Sequence, residues 1–84
     1  MKGITIYTTD HCPYCQRAKN LLKQKGLVFK EVNLSHDDAK REKLQEKTGW
    51  MTVPMIFIGE EFIGGCDDLY ALEASGELEK KIKI

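Results

Sequence analysis

The chain has 84 residues, 42% of them hydrophobic and 31% charged, which excludes a disordered segment and leaves room for one domain, expected over residues 1–84, with a modest core. Thirteen Lys and Arg cancel thirteen Asp and Glu, so no electrostatic footprint exists for nucleic acid or an anionic membrane, and a small molecule or a protein is the expected partner. The opening MKGITIY lacks the apolar core of a secretory signal, and no apolar run approaches the roughly 20 residues that span a bilayer, which predicts a cytoplasmic protein.

Ile4 and Ile6 alternate with Thr5 and Tyr7, so residues 3–8 read as a strand. Residues 27–33 read as a second, from their β-branched and aromatic content. Between them Tyr14, Ala18, Leu21 and Leu22 fall on one helical face, closed by Gly26, and the connection is long enough for a crossover helix between parallel strands. Ser35 followed by Asp38 offers a capping pair for a helix over 37–47, whose apolar positions are only Ala39 and Leu44; it must be mostly solvated. Met55-Ile56-Phe57-Ile58 is a continuous apolar run, Gly59-Glu60 a two-residue turn, and Glu61-Phe62-Ile63 the returning strand of a hairpin. Asp67 and Asp68 then open a helix with Leu69 and Leu72 inside, and Ser75-Gly76 separates it from a terminal helix anchored by Leu78 and Ile82. The order β-α-β-α-β-β-α-α predicts an α/β domain with one mixed four-stranded sheet flanked by helices.

Three cysteines are too few and too unevenly spaced for a disulfide framework, which points to thiol chemistry or metal. Cys12-Pro13-Tyr14-Cys15 lies between the first strand and the crossover helix. An ordinary thiol is only a few per cent thiolate at neutral pH, and the thiolate is the nucleophile, so a reactive cysteine needs donors. With Pro13 at the first helical position, Cys12 becomes the N-cap, and the free N–H groups of Tyr14 and Cys15 point back to its sulfur. A helix dipole alone supplies only about 0.3–1 kcal/mol at an exposed site, so direct N–H···S bonds carry most of the stabilisation. Cys12 is therefore the expected nucleophile and Cys15, one turn in, the resolving thiol. A metal site needs four ligands, and only Cys66, His11 and His36 are available to add, with His11 too close to Cys12 to share an ion easily. A pair of inert buried thiols is the third reading.

Cys12-Pro13-Tyr14-Cys15 after IYTTDH, Thr52-Val53-Pro54 before an apolar strand, and Gly64-Gly65-Cys66-Asp67-Asp68-Leu69 after the hairpin together resemble the dithiol glutaredoxins, notably the short bacterial ones. The likeness covers nearly the whole chain. It implies a thioredoxin fold and reduction of glutathione mixed disulfides and protein disulfides, with glutathione as electron donor and no metal. It also implies a cis Val53-Pro54 peptide whose neighbouring backbone pairs with the extended tripeptide. Tyr14 and Thr52 would flank that contact, and Gly65, Cys66, Asp67 and Asp68 would receive the γ-glutamyl end. No required chemical role is expected for Cys66. The implied partners are glutathione and glutathionylated or disulfide-containing proteins, met by a monomer.

Two positions depart from the family's usual pattern. Thr9 stands where many members carry a lysine, and Trp50-Met51 where an arginine or similar polar residue is common. Lys40, Arg41 and Lys47 are the cations available to compensate. Two further readings compete with the glutathione one: a redoxin fed by thioredoxin reductase that donates electrons to ribonucleotide reductase, and a module holding an iron–sulfur cluster through Cys12 and glutathione. The cluster-transfer branch usually has serine at the fourth motif position, where this chain has Cys15.

Overall fold

The alternating Ile4 and Ile6 place β1 (Ile4–Thr8) at the centre of the molecule, with both isoleucines in one core layer and Tyr7 against the other. The computed structural model describes residues 2–83; Met1 and Ile84, the ends of the expected 1–84 domain, lie outside the described residues. From β1 the chain crosses through α1 (Pro13–Gln24) into β2 (Phe29–Asn33), which pairs parallel with β1. After α2 (Asp38–Thr48), β3 (Met55–Ile58) pairs antiparallel with β1 and turns at Gly59, in the left-handed region with φ 61°, into β4 (Glu61–Gly64). The helices α3 (Cys66–Ser75) and α4 (Glu77–Lys83) complete the chain. The sheet order β2-β1-β3-β4 is the expected mixed four-stranded sheet.

All four residues of β3 are buried because helices cover both faces. Ile56 and Ile58 meet Ala18, Leu21 and Leu22 of α1, Leu69 of α3, and Leu78 and Ile82 of α4. Met55 and Phe57 point the other way, onto Leu34 and Leu44 of the α2 side. Three helices thus lie on one face and α2 on the other, held by Leu44 as its one buried side chain; Ala39, expected inside, is exposed.

Three local expectations change. Tyr14 is 56% exposed, and Cys15 takes its place on the inner face of α1 with Ala18, Leu21 and Leu22, because Cys15, Ala18 and Leu22 recur at the i, i+3, i+7 spacing of one helical face. The strand expected from Leu27 begins at Phe29, since the Leu27 and Gly26 amides are spent on the Leu22 and Lys23 carbonyls, closing α1 with Gly26 at φ 70°. Asp37, not Ser35, caps α2, accepting the Lys40 amide at 3.1 Å, because the helix starts too far along for Ser35 to reach its first turn. Ser35 Oγ instead accepts the Asp10 amide at 2.7 Å, tying the β2–α2 loop to the segment before Cys12.

Candidate functional site

Pro13 at the first helical position leaves Cys12 in extended conformation as the N-cap of α1. The Cys15 amide donates to Cys12 Sγ at 3.2 Å; the Tyr14 amide makes no such bond, so one donor serves the sulfur where two were expected. The preceding His11 is a non-glycine residue in the left-handed region, φ 58°, which turns the chain from β1 into this cap. Asn33 Nδ2 donates to Asp10 Oδ1 at 2.9 Å and, with Ser35, fixes the turn from the β2 side.

The two thiols differ sharply. Cys12 is half-buried, and its Sγ lies 3.8 Å from the Val53 carbonyl, to which the thiol can donate. Cys15 is 1% exposed, and burial together with the hydrogen bond to Cys12 pushes its thiol up from 9.0 to about 12. The half-buried sulfur that accepts the N-cap donor is the more accessible of the two to an incoming disulfide. The buried one sits a helical turn behind it. Among the described residues no three His, Cys, Asp or Glu side chains converge as metal ligands.

Beside Cys12 a cavity of about 520 Å³ is lined by Tyr14, Trp50, Thr52, Val53, Pro54, Gly65, Cys66, Asp67 and Asp68. Every ligand-contact residue expected from the sequence therefore lines one depression. The Val53-Pro54 peptide is cis. Gly65 is buried beneath Trp50: a Cβ there would come within 3.3 Å of Trp50 Cζ2 and 3.5 Å of the Pro54 carbonyl, so glycine keeps this wall thin.

The two aspartates at the start of α3 have separate situations. Asp68 Oδ2 accepts the Gly65 amide at 2.9 Å and packs against Gly64, whose φ of 114° and contact with Asp68 leave no room for a side chain. Its carboxylate is committed to the helix cap. Asp67 is exposed, at the mouth of the cavity, and is the carboxylate free to meet a cation. Cys66 is 4% exposed, and burial pushes its thiol upward, the behaviour of a packed wall residue.

Trp50 belongs both to the core and to the cavity wall. Its ring meets Phe62 edge-on at 5.7 Å as part of the α2-side core, and it also walls the cavity, with Nε1 buried and lacking a hydrogen-bond partner. None of Lys40, Arg41 and Lys47 lines the cavity, and Lys47 lies over the Phe57 ring at 5.7 Å. Sequence reading passed over Arg17, whose guanidinium lies 6.0 Å from the Tyr14 ring and 5.4 Å from the Tyr70 ring, next to the site. The three-residue spacing from Tyr14 was its only signal.

The glutaredoxin family model matches residues 4–63. The chain is 51% identical over 83 residues to glutaredoxin 3 of Escherichia coli K12, covering 99% of this chain and 100% of that protein. Its backbone superposes on the solution structure of a glutaredoxin from Brucella melitensis with TM-score 0.86 at 48% identity, covering 100% of this chain and 94% of that one. A crystal structure of a buckwheat glutaredoxin–glutathione complex matches with TM-score 0.92 at 32% identity, covering 98% of this chain and 77% of that one.

Proposed function

The chain belongs to the glutaredoxin family, has its thioredoxin fold and is a thiol–disulfide oxidoreductase; on that premise we propose that glutathione is its electron donor and that glutathione mixed disulfides and protein disulfides are its substrates. The observation that carries this reading is the half-buried Cys12 sulfur, capped by the Cys15 amide at 3.2 Å, beside a cavity of tripeptide size. The buckwheat relative's complex with glutathione supports the choice of ligand.

On this reading the Cys12 thiolate attacks the glutathionyl sulfur of a mixed disulfide. The substrate thiolate leaves and takes a proton from solvent. A second glutathione thiolate then attacks the glutathionyl sulfur held on Cys12, releasing glutathione disulfide and regenerating Cys12. The Val53 backbone, with Tyr14, Thr52 and Pro54 around it, pairs with the middle of the tripeptide. The α3 N-terminus with Gly65 and Cys66 receives the γ-glutamyl carboxylate, and Asp67 its α-amino group. Asp68 acts indirectly, by holding that helix start. With a protein disulfide, Cys12 forms the mixed disulfide and Cys15 resolves it, leaving a Cys12–Cys15 bridge for glutathione to reduce. This chemistry suits a monomer, one domain over residues 1–84, in the reducing cytoplasm. Among the described residues no helix is long and apolar enough to cross a membrane.

The test is reduction of a small mixed disulfide with NADPH, supplying either glutathione with its reductase or thioredoxin reductase alone. Turnover is expected with the glutathione system. Turnover with thioredoxin reductase alone, and none with glutathione, would sink the proposal.

A further inference from the structure

The resolving thiol poses a chemical problem. Cys15 must ionise to attack, yet it is 1% exposed and burial drives its thiol far from the neutral range. The family's usual lysine before the motif is absent, with Thr9 in its place. A different cation stands one turn further along α1. Lys19 lies four residues beyond Cys15, the spacing that puts two side chains on the same helix face. Its side chain is only 14% exposed, and its Nζ is gripped by both carboxylate oxygens of Glu31 on β2, at 3.2 and 3.1 Å. Glu31 Oε2 in turn accepts the Thr8 hydroxyl at 2.8 Å, and Thr8 is buried at the end of β1, immediately before Thr9.

We propose that Lys19 is a positioning residue for the resolving step: clamped by Glu31 and Thr8, its ammonium stabilises the Cys15 thiolate as that thiolate attacks Cys12 in a mixed disulfide. Cys15 releases its proton to solvent, the Cys15 Sγ–Cys12 Sγ bond forms, and the bond from Cys12 Sγ to the substrate sulfur breaks. The substrate thiolate leaves with the electron pair and is protonated by water.

The surrounding groups are consistent with this division. From its own helix Cys15 meets the Cys12 sulfur, which opposes ionisation, and Lys19, which favours it; the Thr9 backbone, from the loop after β1, also favours it. From β2, Glu31 faces Lys19 and is itself under the field of Lys23. From α3, Cys66 faces Cys12, with Arg17 and Asp67 acting on Cys66 rather than on Cys15. Lys19 is thus the cation of the Cys15 environment. Glu31 fixes its place at the expense of part of its field. Because Cys12 attacks first and alone, the contribution of Lys19 belongs to the second thiol transfer.

The inference rests on the dithiol reading above, and an aryl disulfide probe separates the two without glutathione. A single equivalent of dithiobis-nitrobenzoate gives a first aryl thiolate when Cys12 attacks and a second when Cys15 resolves, followed by stopped-flow absorbance across pH. Since a factor of ten corresponds to one pKa unit, Lys19→Gln is expected to slow the second release about tenfold at neutral pH and to move its pH midpoint up by about one unit. The first release should be unchanged, and Lys19→Arg should restore the second. An unmoved second release, or equal slowing of both, overturns the role of Lys19. A wild-type protein that gives no second release defeats the dithiol reading itself.

Discussion

The Cys15 amide donates to the Cys12 sulfur at 3.2 Å, while the Cys15 side chain is turned into the core. One residue therefore supports its partner's sulfur with its backbone and withholds its own. Cys12→Ser is expected to remove all thiol transfer, and Cys15→Ser to keep glutathione-mixed-disulfide reduction while losing turnover of protein disulfides through an internal bridge. NADPH consumption with each substrate measures both. The opposite pattern would reverse the assignment of roles.

The burial of Cys15 has a consequence for alkaline stability. Its thiol stands at about 12 in the folded protein against 9.0 as its ordinary value, so the folded state keeps a proton that the unfolded chain gives up first. This contribution is fully present below pH 9 and is lost as pH rises toward 12. In urea titrations under reducing conditions, the wild type should lose stability more steeply than Cys15→Ala across that window. Parallel curves would contradict the desolvated thiol.

The neighbouring aspartates should separate under substitution. Asp67→Asn is expected to raise the apparent KM for a glutathionylated substrate roughly tenfold with little change in Tm, since a charge-assisted hydrogen bond contributes about 1.5–3 kcal/mol. Asp68→Ala should instead lower stability by about 1 kcal/mol, the usual effect of losing a helix cap. Steady-state kinetics and thermal melts on the two variants distinguish them; a stability loss at Asp67 larger than at Asp68 would show the assignment to be inverted.

Trp50 is the single tryptophan and lines the cavity, so it serves as an internal reporter. When Cys12 of a Cys15→Ser variant is glutathionylated, the emission of Trp50 should change in intensity and wavelength as the tripeptide covers the ring. Conversion with a minimal methyl thiol should leave it nearly unaltered. An identical spectrum in all three states would place the tripeptide elsewhere.

A backbone prediction follows from Gly64. With φ at 114° and Asp68 packed against the position of a Cβ, Gly64→Ala is expected to cost about 1–3 kcal/mol, the range for a residue held in disfavoured backbone geometry. Chemical denaturation checks it. A loss confined to substrate affinity, at unchanged stability, would mean that the loop adapts without strain.

Much of this molecule is legible along the chain because its physics is local. Alternation in Ile4–Tyr7, the apolar run Met55–Ile58 and the cap at Cys12-Pro13 each need only near neighbours, and they set the element order and the sheet and pointed to Cys12 as the candidate nucleophile. The outward turn of Tyr14, the separation of Asp67 from Asp68 and the grip of Glu31 on Lys19 depend on residues brought together across strands and helices. Lys19 and Glu31 stand twelve positions apart and meet because β2 lies parallel to β1 beneath the crossover helix. No periodicity encodes such a contact, since a long-range ion pair leaves no mark on either segment's own pattern. The sequence by itself singled out Cys12 as the candidate nucleophile; the tertiary structure decided how buried Cys15 is and that Glu31 holds Lys19 from the neighbouring strand, because desolvation and cross-strand ion pairing exist only once the layers have closed.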